Sequence, residues 1–380
     1  MSSLKKLVKA GAYVSALSAI RFLTKKSNEK PLWLISERGF DARDNGYWFF
    51  KYMTENHKEI ESVYVVDKGS ADYGKVSSLG ETVQFGSWDH LCMMANADAL
   101  ISTHDCGWSP DMVVFHHLMK HGLIKLRGKI ALIQHGVNDK VIPWYFREEC
   151  KPDVFVVSTE DERENILKNY GQPESCVKLT GLPRYDNLKT QHEEDNMLLI
   201  MPTWRQDLKG LSQEEFEQSE YWKQYKALME DQRLLKFAED NGISIVFYPH
   251  IEMQYFVKPA ENGVVRIATM DTDDVQDLLM RCKLLITDYS SVAYDVFYMH
   301  KPVIFFQFDK EKIGSGHYGK YEAQTWKIGT ALITRPAVVD AVMRLWGRKI
   351  EWKDNNGLFK YDDQNNCERV YEAIRDCFKG

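Results

Sequence analysis

Short apolar runs alternate with stretches of helical spacing along nearly the whole chain from Pro31 onward. LWLIS at 32–36 is followed by a helical pattern from Tyr47 to Glu55, then by SVYVVD at 62–67, ALIS at 99–102, KIALIQ at 129–134 and DVFVVS at 153–158. Apolar runs this short suit strands buried on both faces, and their alternation with helices implies a parallel sheet. The polar run QHEEDN at 191–196 interrupts the series, which restarts with MLLIMP at 197–202, SIVFYP at 244–249, LLIT at 284–287 and VIFF at 303–306. The pattern predicts an α/β chain of two doubly wound, Rossmann-like domains facing a central cleft. These are 31–190 and 191–380, the second closed by a helix from Cys367 to Phe378.

In such sheets ligands gather beyond the carboxyl ends of strands, so the residues just after each run are the ones to inspect. Between LLIT and VIFF, Thr287, Asp288, Ser290 and Ser291 precede the helical spacing of Val292, Asp295, Val296 and Met299. Backbone N–H groups collect at such a turn and suit an anion, although the serines equally suit a purely structural cap. His135 and His250 each follow a strand, one in each domain, and Gly136 lets a ligand approach His135 closely. Thr203 and Arg205 of MPTWR bring a hydroxyl and a guanidinium suited to phosphate, the alternative for Arg205 being an ion pair with Asp207 or another local acid. His116, His117 and His121 lack the HExxH order and read as a surface helix, so no metal is assigned. Walker A, GxGxxG and GxSxG sequences are absent.

Composition narrows the partners. A formal charge of -6 over 380 residues argues against nucleic acid, and seven cysteines without a CxxC pair suit a reducing, cytoplasmic setting. Residues 1–30 form a basic amphipathic segment in which Lys5, Lys6, Lys9, Arg21, Lys25, Lys26 and Lys30 face a single acid, Glu29. The segment is too interrupted to span a bilayer. It reads either as a helix lying on the inner face of the cell membrane or as a solvated helix packed on the first domain. Residues 207–220 and 310–320 read as surface segments suited to a lid.

Taken in order, QHG at 134–136, GLPRYDNL at 181–188, MPTWR at 201–205, YPH at 248–250 and ITDYSSVAYDVFYMHKPVIFFQFD at 286–309 resemble the CDP-glycerol glycerophosphotransferases of teichoic acid synthesis. The resemblance runs from about residue 31 onward. It implies a GT-B architecture and transfer of a polyol phosphate, glycerol phosphate foremost, from a CDP-activated donor to a hydroxyl acceptor with release of CMP. The setting it implies is cell-envelope or capsular polymer synthesis on a lipid-linked, saccharide or polyol-phosphate acceptor. The family's catalytic base falls on His135, its phosphate-binding histidine on His250 and its donor turn on Thr287, Asp288, Ser290 and Ser291. No cofactor is implied beyond the CDP-polyol substrate. Gln134 and Ile251 depart from the tryptophan and proline common in the family. A GT-B glycosyltransferase using a nucleotide sugar, or a non-catalytic scaffold that keeps the cleft, are the rival readings.

Overall fold

The computed structural model describes residues 3–23, 30–138, 141–190, 193–257, 264–313, 327–351 and 358–379. It divides into two compact units, one of Met1–Val137, Ile142–Lys189 and Phe359–Gly380, the other of Asn138–Val141 and Thr190–Leu358.

The first unit is a seven-stranded sheet built from β1 (Leu32–Ser36), β2 (Glu61–Val66), β3 (Glu81–Gln84), β4 (Ala99–Ser102), β5 (Lys129–Leu132), β6 (Val154–Val157) and β7 (Val177–Leu179). The strand order is β3-β2-β1-β4-β5-β6-β7, and every pair is parallel. The order reverses between β1 and β4, where Leu34 lies opposite Leu100. The second unit carries β8 (Met197–Ile200), β9 (Ser244–Phe247), β10 (Val265–Ile267), β11 (Leu284–Thr287), β12 (Val303–Phe306) and β13 (Thr330–Leu332), in the order β10-β9-β8-β11-β12-β13. This sheet too is all parallel and reverses between β8 and β11, with Ile200 opposite Ile286. The central strands are buried along their whole length, as the continuous apolar runs require.

Two of the expected divisions change. The closing helix, Asn366–Asp376, belongs to the first unit rather than to 191–380. Asp186 of the GLPRYDNL run accepts the N–H groups of Asn366 and Cys367 at 2.8 Å each, placing a carboxylate at that helix's amino end. Gly181 has φ +80°, and a Cβ there would lie 1.8 Å from Asn366 Oδ1, so only glycine allows this docking.

The basic amino-terminal segment forms the helix Ser3–Leu23 and is part of the first unit, not a separate element. Leu17 and Ile20 are buried in the core formed with Leu91, Met94 and Phe115, and Tyr13 packs on Phe115 at 5.1 Å. Lys9 pairs with Asp111 at 3.1 Å, while Leu7 and Val8 stay 64% and 67% exposed. Among the described residues no helix is long and apolar enough to cross a membrane.

Residues 207–220 form a mostly exposed surface segment, as expected, anchored by the buried Leu208 and Phe216. Ser212 and Glu215 form a reciprocal capping box at the helix Gln213–Gln218, and Phe216, fully buried, stacks on Phe256 at 4.4 Å. Of the other lid candidate, Lys310–Ile313 is helical and 314–326 lie outside the described residues.

Candidate active site

In the first unit, β5 ends and the chain turns sharply through Gln134, a non-glycine residue with φ +45°. That left-handed conformation costs roughly 1–2 kcal/mol and persists only where the surroundings impose it. Gln134 is 1% exposed, and its Nε2 donates to Val156 O at 2.6 Å and Glu162 Oε1 at 3.1 Å. Asn45 Nδ2 donates to the carbonyls of Ile133 and Gln134, and Asn45 Oδ1 accepts the N–H of Arg184. Arg184 in turn donates to His135 O and to Asp44 Oδ1, both at 2.7 Å. The His135 backbone is thereby fixed from two sides while its side chain is exposed. The GLPRYDNL run is thus a brace: Arg184 holds the histidine, and Asp186 holds the carboxyl-terminal helix.

Two further features of this unit escaped sequence reasoning. Glu37, directly after β1, accepts the N–H groups of Arg43, Asp44 and Tyr47 at 2.8–3.1 Å, so a carboxyl of the chain itself fills the anion position of the first strand-to-helix turn. Burial, with Asp44 and Asp41 nearby, pushes its pKa up to about 8. His104, just beyond β4, lies with its ring 5.0 Å from that of His135 at an interplanar angle of 23°. The signal available was a histidine two residues past the strand ALIS, the placement that drew attention to His135.

His117 and His121 are exposed, as the surface-helix reading expects, whereas His116 is half-buried. It lies between Asp105 at 2.6 Å and Glu149 at 3.2 Å, with Lys120 on Glu149, and the hydrogen bond it donates to Asp105 leads the effects that raise its pKa. These residues border a cavity of about 120 Å³ with a largely apolar floor that includes Met119 and Leu132. Among the described residues no group of three or more His, Cys, Asp or Glu side chains is arranged to hold a metal ion.

In the second unit the MPTWR and TDYSS motifs meet at the reversal between β8 and β11, where a ligand site is expected. Most of their polar groups, however, are spent on each other. Asp288, fully buried, accepts from Thr203 N and Oγ1, Tyr289 N, Arg205 Nη2 and Tyr225 OH at 2.6–3.0 Å. Arg205 commits all of its N–H donors to Asp288, Asp309 and Thr203. Burial works against its charge, but Asp288 and Asp309 overcome that and hold the guanidinium protonated. Thr287 Oγ1 donates to Met201 O at 2.6 Å. Arg205, Asp288, Thr203 and Thr287, all expected to bind substrate, are therefore the frame, and the ion-pair alternative for Arg205 holds with Asp288 and Asp309 in place of Asp207.

What the frame leaves available is narrower. Ser290 and Ser291 are half-buried, and neither backbone N–H has a protein partner among the described residues. Ser291 makes no capping bond, and Ser290 Oγ accepts only a long bond, 3.4 Å, from Val292 N. His250 begins the turn Ile251–Met253, where its Nδ1 accepts the N–H of Glu252 at 3.3 Å. That bond places the proton of neutral His250 on Nε2 as a donor, and burial lowers its pKa so that the neutral form is favoured. Trp204 lies beside it, ring centroids 6.1 Å apart.

The family model of the CDP-glycerol:poly(glycerophosphate) glycerophosphotransferases matches residues 17–376. The chain belongs to this family. Among curated relatives, the minor teichoic acid biosynthesis protein GgaB of Bacillus subtilis is 31% identical over 91% of this chain, which spans 40% of GgaB. The teichoic acid glycerol-phosphate transferase of Staphylococcus aureus is 22% identical over 98% of this chain and 99% of its own length. The wall teichoic acid polymerase TagF superposes on 100% of this chain and 99% of its own resolved chain with TM-score 0.68 at 16% identity. A UDP-GlcNAc 2-epimerase of Methanocaldococcus jannaschii superposes on 93% of it with TM-score 0.53 at 14% identity. These likenesses give the two units of this glycerophosphotransferase-family chain the GT-B fold.

Proposed function

We propose that the chain transfers glycerol phosphate from CDP-glycerol to a hydroxyl acceptor in cell-wall polymer synthesis. The acceptor oxygen attacks the β-phosphorus, the bond from that phosphorus to the bridging oxygen breaks, and CMP leaves. His135 takes the hydroxyl proton as general base. His250 donates from Nε2 to a phosphoryl oxygen, and Ser290 and Ser291 receive the diphosphate with their hydroxyl and N–H groups. Gly136, lacking a side chain, lets the acceptor come close to His135. The observation that carries this reading is an exposed imidazole on a backbone locked by Asn45 and Arg184, within a chain matched to the family over 17–376. Because Glu37 already fills the anion position of the first unit, the donor diphosphate is assigned to the second. No metal and no cofactor are given a role, which persistence of turnover in EDTA would check.

The deciding experiment offers CDP-glycerol, CDP-ribitol and UDP-GlcNAc to the purified chain with a synthetic glycerol-phosphate oligomer as acceptor. Release of CMP with a product heavier by one glycerol phosphate is expected. Release of a nucleoside diphosphate would instead favour the nucleotide-sugar reading, to which the epimerase likeness lends only its fold. Turnover on none of them would favour a non-catalytic scaffold. The acceptor is proposed to be lipid-linked and reached at the inner face of the membrane. The helix Ser3–Leu23 supports this by keeping Lys6, Leu7, Val8 and Lys9 exposed. Sedimentation with anionic liposomes that weakens in salt and is lost in Leu7→Ser/Val8→Ser is the expected outcome.

A further inference from the structure

We infer that His104 is a positioning residue for His135, a flat wall that holds the imidazole in one orientation. An exposed histidine packed against a fixed ring samples fewer rotamers, and a base displaced by about 1 Å can lose on the order of a hundredfold in rate. The His104 ring lies 23° from parallel to that of His135, with centroids 5.0 Å apart.

His104 is itself fixed at several points. Its Nδ1 bonds Thr103 Oγ1 at 2.8 Å, and its carbonyl accepts from Ser102 Oγ and, at 3.0 Å, from Gly107 N. A Cβ at Gly107 would lie 2.2 Å from Glu37 O, so the turn closes this tightly only with glycine. Non-glycine left-handed residues flank both rings, Cys106 at φ +55° after His104 and Gln134 at φ +45° before His135. Of the three such residues among those described, two lie here, and strain of this kind collects where geometry serves function. The location fits as well: β4 is one of the two strands between which the sheet order reverses.

His104 is not a second base. Burial, then His135 and Arg38, lower its pKa to about 3, so it stays neutral and does not compete for the acceptor's proton.

The inference rests on His135 as base, and its test separates the two claims. In the CMP-release assay, His104→Ala should lower kcat by about tenfold with KM for CDP-glycerol nearly unchanged. His104→Phe keeps a flat ring and should recover most of that loss. The second readout needs no turnover: in NMR spectra of the folded chain, the ring-proton shifts of His135 should move toward unstacked values in His104→Ala and stay near wild type in His104→Phe. Full kcat in His104→Ala, or unchanged His135 shifts in that variant, would overturn the inference. If His135→Ala retains turnover while the shifts behave as expected, the base assignment falls and the stack stands as architecture, overturning the positioning role of His104 in the reaction.

Discussion

The two sheets reverse their strand order at equivalent places, yet the polar groups near the candidate site residues of each unit are held in different ways. In the first unit the support around His135 rests on the amides of Asn45 and Gln134 and on Arg184, which donates to the His135 carbonyl and pairs with Asp44. In the second, Arg205 is clamped by Asp288 and Asp309 in a buried charge cluster that Tyr225 and Thr203 complete. Buried charges must be fully paired, so the side chains of Arg205, Thr203 and Tyr225 have no donors to spare for a ligand. Motif residues that look like phosphate binders can therefore be what holds the phosphate binders still.

The largest effect expected from breaking either side is on turnover. His135→Ala should cut kcat by roughly a hundredfold or more, the usual share of a positioned base, with little loss of stability because the side chain is exposed. Near-normal CMP release from this variant would remove the first unit from the chemistry.

Next comes the charged frame. Arg205→Ala strands Asp288 without its counter-charge, and losing one partner of a buried pair costs about 3–5 kcal/mol. Urea unfolding should show this even without substrate. A variant of unchanged stability but weakened CDP-glycerol binding would return Arg205 to the role of ligand.

Acid should distinguish the units further. In the first, His90 is fully buried with Nδ1 accepting Gly86 N–H and Nε2 donating to Trp108 O, an arrangement only neutral imidazole satisfies. Burial lowers its pKa from 6.5 to about 4. The unfolded chain then binds the extra proton between these values, so the contribution is complete above about pH 6.5 and lost as pH falls toward 4. At pH 5 the cost is on the order of 2 kcal/mol. Urea midpoints at pH 7 and pH 5 should show it, and His90→Gln, which keeps a donor and an acceptor, should flatten the dependence. An unchanged pH slope in that variant would exclude His90 as the source.

The alternation of apolar runs revealed both sheets because a strand buried on two faces must be continuously apolar, and it located the strand ends where His135 and His250 lie. It did not reveal that Asp288 and Arg205 consume each other, since that depends on Asp309 and Tyr225 arriving from distant parts of the chain. Nor did it assign the helix Asn366–Asp376 to the first unit, because an amphipathic helix fits any apolar groove and the choice rests on Asp186 and Gly181. Residues 207–220 are the surface segment expected, but acidic neighbours masked Phe216 as the core side chain that anchors it.

The smallest effect is expected at Ser290 and Ser291, and it tests whether anything at this turn remains for the donor. Neither hydroxyl holds the frame: Ser291 caps nothing, and the Ser290 bond to Val292 N is long. Ser290→Ala/Ser291→Ala should therefore leave urea stability nearly unchanged, unlike Arg205→Ala. The backbone N–H groups survive the substitution, so only hydroxyl contacts are lost. Net hydrogen-bond values of about 1 kcal/mol predict roughly fivefold weaker CDP-glycerol binding by calorimetry. Unchanged affinity at unchanged stability would place the donor elsewhere and leave His250 as the remaining candidate for phosphate in this unit. Weaker affinity with an equal fall in stability would make the turn part of the frame, erasing the distinction drawn between Asp288 and its two serine neighbours.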